Sequence, residues 1–242
     1  ASDRAAWVLE AGHPGDARFQ RRLADLDFWL RSDGHRRNPG TTADLIAAVR
    51  ANGPSAEALA AVSLLEKWDN TTSPESRGSV LFQAWWREYS GLREGVQTPL
   101  PDEKRYARVW DVNDPRNTPR GLADPARAAE SFARAIEETK KQYGSYDVAW
   151  GEVHRVRRGK VDAPVGGCGN DLGCFRIMTY ERDTDGKMRA IGGDGWVFAV
   201  EFAEVPRAYS ILAYGQSNDP DSPYFDTQAE MFARGEMKRV AF

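Results

Sequence analysis

Asp147, Glu152, Asp194 and Glu201 are the carboxylates that could serve as an acid–base pair. Glycoside hydrolysis by that route needs two carboxyl groups about 5 to 9.5 Å apart in one cleft, and sequence spacing does not set that separation. His154, between Val153 and Arg155, would be a base beside a suitable acid; a histidine so placed on a strand is more often a satisfied structural residue. Arg155, Arg157, Arg158 and Lys160 form a basic run in which Arg155 and Arg157 would share one strand face and could meet phosphate. The net charge of −3 and the lack of interleaved aromatics favour a solvated strand end or an intersubunit ion pair. Asp183-Thr184-Asp185-Gly186 resembles half of a calcium loop, but without a terminal Glu it reads as a hairpin turn. Asp219, Asp221 and Asp226 could hold a cation, yet beside Pro220 and Pro223 they serve equally as turn formers. Cys168 and Cys174 lie in a Gly-rich loop without a nearby His, which is not a zinc pattern. A small disulfide loop and two partly buried thiols both fit them. Trp85 and Trp86 could line an apolar pocket, although Trp85 falls on a buried stripe.

The elements that must position these groups change character near Gly144. Before it the apolar period is close to 3.6 residues. A helix is expected over 17–31, with Phe19, Leu23, Leu26 and Leu30 on one stripe. Thr42 would cap a helix through Arg50, and Gly53-Pro54 would break it. Ser55 would cap the next, with Leu59, Val62, Leu65 and Trp68 facing inward. A further helix is expected from Ser76 to about Tyr89, burying Val80, Leu81, Ala84 and Trp85. Residues 93–123 show no clear period and read as a long irregular segment. Asp124-Pro125 is a helix start, and that helix runs to Tyr143.

Beyond Gly144 the period falls to about two. Strands are expected over Val148–Arg157, Phe175–Arg182, Met188–Ile191, Val197–Phe202 and Ala208–Tyr214, with a short helix between Phe225 and Gly235. Helices followed by an antiparallel meander make an α+β chain, mainly helical over 1–143 and mainly sheet over 144–242.

Composition bounds the function. The chain has 242 residues, 41% hydrophobic and 11% aromatic, with eight Trp, which is enough for a packed core. The charge of −3 gives no field to recruit nucleic acid. No apolar run approaches the roughly 20 residues of a membrane span, and no basic-then-apolar start reads as a secretion signal.

Several ordered segments resemble the C-terminal part of the β subunit in the penicillin acylase family of N-terminal-nucleophile hydrolases, in particular its acyl-homoserine-lactone acylase and aculeacin acylase branch. They are Leu65-Glu66-Lys67-Trp68-Asp69; Ser76-Arg77-Gly78-Ser79-Val80-Leu81-Phe82-Gln83-Ala84-Trp85; Thr118-Pro119-Arg120-Gly121-Leu122-Ala123-Asp124-Pro125; Tyr143-Gly144-Ser145-Tyr146-Asp147-Val148-Ala149-Trp150-Gly151-Glu152-Val153-His154-Arg155; and Gly193-Asp194 with Tyr214-Gly215-Gln216-Ser217. The likeness covers about residues 55–242, and residues 1–54 match poorly. The family often has Ser where Gly195 stands and His where Tyr224 stands, which bears on substrate preference.

The resemblance implies an αββα fold and cleavage of N-acyl amides such as acyl-homoserine lactones, β-lactam side chains or acylated peptides. The nucleophile would be an N-terminal Ser whose α-amine, with a pKa of about 7.7–8.0, is the base. That Ser and the oxyanion Asn are expected before Ala1, so this chain carries no catalytic residue and would be inactive alone. Ser2 could act only with Ala1 removed, and the run Arg4-Ala5-Ala6-Trp7 does not resemble the family's start. Arg4 could stand where an Arg supports the family's active site, though a solvated surface Arg fits it better. The chemistry needs no cofactor; a calcium ion in the full-length enzyme would take its ligands from outside this chain. Expected partners are the remainder of the β subunit, the α subunit and a small acylated substrate, with neither nucleic acid nor membrane. An exported family implies a periplasmic or secreted protein and favours a Cys168–Cys174 bridge. The alternative is a non-catalytic protein-binding module built on the antiparallel sheet.

Overall fold

A computed structural model describes residues 40–240 apart from 93–97, 116, 170, 175 and 203, together with Trp7, Glu10, Arg18 and Arg22. Arg4, Ser2 and most of the helix expected over 17–31 lie outside the described residues. The chain divides into one unit of Ala1–Lys67 with Trp85–Ile136 and a second of Trp68–Ala84 with Glu137–Phe242.

In the first unit, helix α1 (Thr41–Ala51) buries Leu45, Ile46, Ala48 and Val49. Gly40, not Thr42, is its N-cap, and Gly40 carbonyl accepts from Ala43 N–H at 3.0 Å. The backbone closes the first turn, so no side-chain cap is made there. Helix α2 (Ala56–Lys67) is capped by Ser55, whose Oγ accepts from Ala58 N–H at 3.1 Å. Its buried stripe is Ala58, Ala61, Val62 and Leu65. That i, i+3, i+4, i+7 pattern turns Leu59 outward, and it is 44% exposed rather than buried. Arg50 of α1 pairs with Glu66 of α2 at 2.6 Å.

Helix α3 spans Ser79–Tyr89. Its Trp85–Tyr89 portion belongs to the first unit. There Trp85 stacks on Tyr89 with ring centroids 5.5 Å apart and donates through Nε1 to Ala128 carbonyl at 3.0 Å. Segment 93–123 is not wholly irregular. It contains helix α4 (Asp102–Arg105) and strands β1 (Tyr106–Arg108) and β2 (Arg120–Leu122), paired antiparallel as Tyr106↔Leu122 and Arg108↔Arg120. Three-residue strands are too short to show a period. Tyr89 Oη closes this region by donating to Arg105 carbonyl at 2.9 Å. Helix α5 (Pro125–Tyr143) starts as the sequence implies, with Asp124 Oδ1 accepting from Arg127 N–H at 2.9 Å.

In the second unit, the expected strand over Val148–Arg157 is split. Helix α6 (Trp150–Val153) is followed by strand β3 (His154–Arg158). The cause is burial of Trp150, Gly151 and Val153 together, which a strand of period two would place on opposite faces. Trp150 N–H donates to Ser76 carbonyl at 2.9 Å and Gly151 N–H to Pro74 carbonyl at 2.8 Å, fixing the turn. Strands β4 (Val161–Pro164), β5 (Met178–Arg182) and β6 (Met188–Gly193) join β3 in the order β4-β3-β6-β5. The pairing is not a pure meander, because β3 and β6 run parallel through His154↔Met188 and Arg155↔Arg189. Strands β7 (Trp196–Glu201), β8 (Arg207–Leu212) and β9 (Lys238–Val240) form an antiparallel sheet in that order. Strand β9 is too short to be read from its residues. Helix α7 (Ala229–Ala233) lies in the expected closing segment. Val156, Val165, Met178, Ile211 and Phe232 form a core with Ala190, Ala213, Ala229 and Ala233. The whole is a mixed helix-and-sheet architecture consistent with α+β.

Candidate functional site

The Gly-rich stretch around the cysteines builds a groove within the second unit. Cys168 and Cys174 are disulfide-bonded, with their Cα atoms 5.4 Å apart. Cys168 N–H donates to Arg176 carbonyl at 3.2 Å, and Met178 N–H returns to Cys168 carbonyl at 2.9 Å. Gly167, at φ +103°, lies where a Cβ would stand 2.6 Å from Met178 Cγ and 2.8 Å from Arg176 carbonyl. Its own carbonyl accepts from Tyr180 Oη at 2.9 Å. Thr72 Oγ1 meets Cys174 Sγ at 3.4 Å, tying the loop after α2 to the bridge. Between these pieces lies a cavity of about 610 Å³, lined among others by Trp68, Pro74, Phe82, Leu172, Cys174, Arg176 and Arg234. Arg176 Nη2 donates to Phe232 carbonyl at 2.7 Å, and its guanidinium lies 4.1 Å from the Phe232 ring centroid. Burial pulls Arg176 below the ordinary arginine value. Local sequence marks neither Trp68 nor Arg176 as a binding residue, because the groove joins segments about a hundred residues apart.

Of the four carboxylates weighed from the sequence, Asp147 and Glu152 flank one cation, Arg77, at 3.0 and 3.5 Å. Glu201 pairs with Arg207 at 2.6 Å. Asp194 N–H donates to Ile177 carbonyl at 2.9 Å, held by Gly193 at φ +125°. Asp147, Glu152 and Glu201 are thus held in ion pairs with arginines, and Asp194 is anchored by its backbone.

His154 is 2% exposed, with Nδ1 3.1 Å from Trp150 carbonyl. Its ring stacks on Trp150 with centroids 3.6 Å apart and meets Tyr180 edge-on at 4.5 Å. Burial pushes its pKa down to about 3, against a smaller upward pull from the Trp150 carbonyl. It is the structural histidine that the sequence favoured.

The arginines of the basic run have partners within the chain. Arg155 reaches Asp162 at 2.6 Å, and Arg157 reaches Asp183 at 2.8 Å and Asp185 at 2.6 Å. The Arg157 guanidinium holds Asp185 at a pKa of about 2 and lowers Asp183 as well. The half calcium loop is thus an arginine-paired hairpin turn, with Asp183 N–H donating to Lys187 carbonyl at 2.8 Å. Arg158 lies over Phe225 at 3.7 Å and Tyr214 at 4.9 Å. Lys160 donates its backbone N–H to Asp226 Oδ2 at 2.9 Å. Asp219 Oδ1 accepts from Asp221 N–H at 3.0 Å, the role of a turn former. Among the described residues no group of three or more His, Cys, Asp or Glu could hold a metal ion, and no helix is long and apolar enough to cross a membrane. Trp85 and Trp86 are both buried, Trp86 packing on Tyr106 at 5.9 Å, so they serve as core. Arg4 lies outside the described residues.

The sequence profile of the penicillin amidase family matches residues 16–242, so the likeness begins well before residue 55. The chain is 32% identical over 172 residues to the acyl-homoserine lactone acylase PvdQ of Pseudomonas fluorescens Pf-5, covering 65% of this chain and 22% of the relative. It is 30% identical over 187 residues to PvdQ of Pseudomonas fluorescens Pf0-1, covering 74% of this chain and 23% of the relative. It is 28% identical over 239 residues to the aculeacin-A acylase of Actinoplanes utahensis, covering 92% of this chain and 27% of the relative. The chain therefore spans about a quarter or less of the length of relatives it matches along most of its own.

Proposed function

Because the chain belongs to the penicillin amidase family, we propose that it is the C-terminal part of an acylase that hydrolyses N-acyl amides. The observation that carries this is the family match over residues 16–242, shared with relatives named as acyl-homoserine lactone and aculeacin-A acylases. The nucleophile is an N-terminal Ser supplied by polypeptide preceding Ala1, with its own α-amine as general base. Attack on the amide carbonyl gives a tetrahedral oxyanion held by backbone and Asn donors, then an acyl-enzyme and a free amine. Water attacks the ester, the acid leaves, and the proton returns to the Ser oxygen. This chain contributes the packed helices and sheets that support that centre within an N-terminal-nucleophile fold, and needs no cofactor to do so.

The surface of the second unit supports a partner of the same precursor. Among the described residues strand β7 is an edge strand carrying Trp196 at 62% exposure and Phe198, followed by Phe202 at 92% and Val205. An open edge with exposed aromatics is expected to be covered by further polypeptide. The bridged Cys168 and Cys174 fit an oxidising compartment, in keeping with a periplasmic or secreted protein.

The test is the amino terminus of the mature enzyme. Expression of the open reading frame containing this chain should yield a subunit beginning with Ser, and Ser→Ala at that position should abolish amide cleavage. A natural start and stop flanking these 242 residues would instead favour a binding module whose β7 edge engages a separate protein.

A further inference from the structure

We propose that the groove beside the Cys168–Cys174 bridge is a binding site for an amphipathic monocarboxylate, with the carboxylate on Arg176 and the apolar chain along Trp68, Phe82 and Leu172. The cavity of about 610 Å³ has the size of small-molecule sites and is lined mainly by apolar and backbone groups. Among the described residues no Asp or Glu lines it, whereas two arginines do. Arg234 is already engaged, by Glu230 at 3.1 Å and Glu236 at 2.9 Å. Arg176 makes no ion pair with any described carboxylate; Asp194 and Tyr180 act on it only through the longer-range field. One of its N–H groups goes to Phe232 carbonyl, and its other N–H groups make no hydrogen bond to a described residue. A half-buried guanidinium gains from a bidentate carboxylate, and a single guanidinium matches a single negative charge. The walls are pre-set by the bridge, by Thr72 on Cys174 and by Gly167, so little ordering cost falls on binding. The groove is complete within the second unit and does not depend on where the acylase nucleophile lies.

Decanoate, decanol and acetate are the probes, titrated into the full 242-residue chain by calorimetry, with tryptophan fluorescence as a second readout because Trp68 forms one wall. Decanoate should bind saturably with one site, at least tenfold tighter than decanol and acetate. Arg176→Gln should bring decanoate down to the decanol level, while Arg176→Lys retains part of the preference. Arg207→Gln, which removes a cation paired to Glu201 on β7, should leave decanoate binding within twofold. Circular dichroism checks that each variant folds; should Arg176→Gln fail, the decanoate-to-decanol ratio of the unsubstituted chain decides the matter. Absence of saturable binding, equal affinity for decanoate and decanol, or a folded Arg176→Gln that binds decanoate unchanged would each overturn the proposal.

Discussion

Arg158 stands over the ring of Phe225, its guanidinium carbon 3.7 Å from the ring centroid, and so fastens β3 to the turn that follows β8. Tyr214 lies on the same cation at 4.9 Å, and Ser217 carbonyl and Asn218 Oδ1 accept from Nη2 at 3.4 and 3.3 Å. Arg158→Ala should cost about 1–2 kcal/mol in urea unfolding and speed proteolysis within 214–226. Equal stability and equal cutting would show that the turn holds without the clamp.

His154 gives the fold a pH dependence of known sign. Its folded pKa is about 3 against 6.5 for the free side chain, so the unfolded state binds the extra proton between those values. The contribution is complete above about pH 6.5 and is lost as pH falls toward 3, at up to about 1.4 kcal/mol per pH unit. His154→Phe should flatten that part of the stability profile, measured by denaturant unfolding from pH 7 to 4.5. An unchanged slope would mean that His154 protonates in the folded chain.

Asp185 acts in the same direction over a more acidic window. The Arg157 guanidinium holds its pKa at about 2, so its contribution is present above about 3.8 and is lost as pH falls toward 2. In Arg157→Gln the carboxyl should titrate near the ordinary Asp value, followed by carbon-13 NMR of the side chain. A shift that survives this substitution would assign the effect to the turn backbone.

Two glycines separate conformation from contact. Gly193 has φ +125° and a Cβ there would stand 2.1 Å from Ile177 carbonyl, whereas Gly186 has φ +83° with nothing within 4 Å. Gly193→Ala should cost about 3 kcal/mol or more, and Gly186→Ala about 1 kcal/mol. Similar losses at both sites would deny the close approach at Gly193.

The Cys168–Cys174 bridge spans a sequence separation of 6. Chain-entropy reasoning for so short a loop gives about 2 kcal/mol, so Cys168→Ala with Cys174→Ser should lower stability by that order. Thiol titration of the denatured chain should find free sulfhydryls only after reduction.

Where one residue type answers one local demand, the sequence was readable. Asp124-Pro125 announced α5, Ser55 capped α2, and Asp183-Thr184-Asp185-Gly186 turned between β5 and β6. Reading failed where a distant partner decided the outcome. Trp150 and Gly151 look like strand residues, but donation to Ser76 and Pro74 winds them into a helical turn. Leu59 looks like core, yet small alanines set the buried stripe of α2. The parallel pairing of β3 with β6 and the arginine partners of Asp183 and Asp185 depend on topology, which spacing does not encode. Cys168 and Cys174 marked their own loop, but the groove beside them also needs Trp68, Phe82 and Arg176, and no local pattern joins those.

The most direct measurement is release of free amine from N-acyl-homoserine lactones, β-lactam side-chain amides and acylated peptides. It should be made with residues 1–242 alone and with the complete gene product that contains them. Turnover is expected from the complete product and none from the chain alone. Turnover by residues 1–242 alone, or a complete, folded product that cleaves no N-acyl amide, would contradict the assignment to an acylase whose nucleophile precedes Ala1.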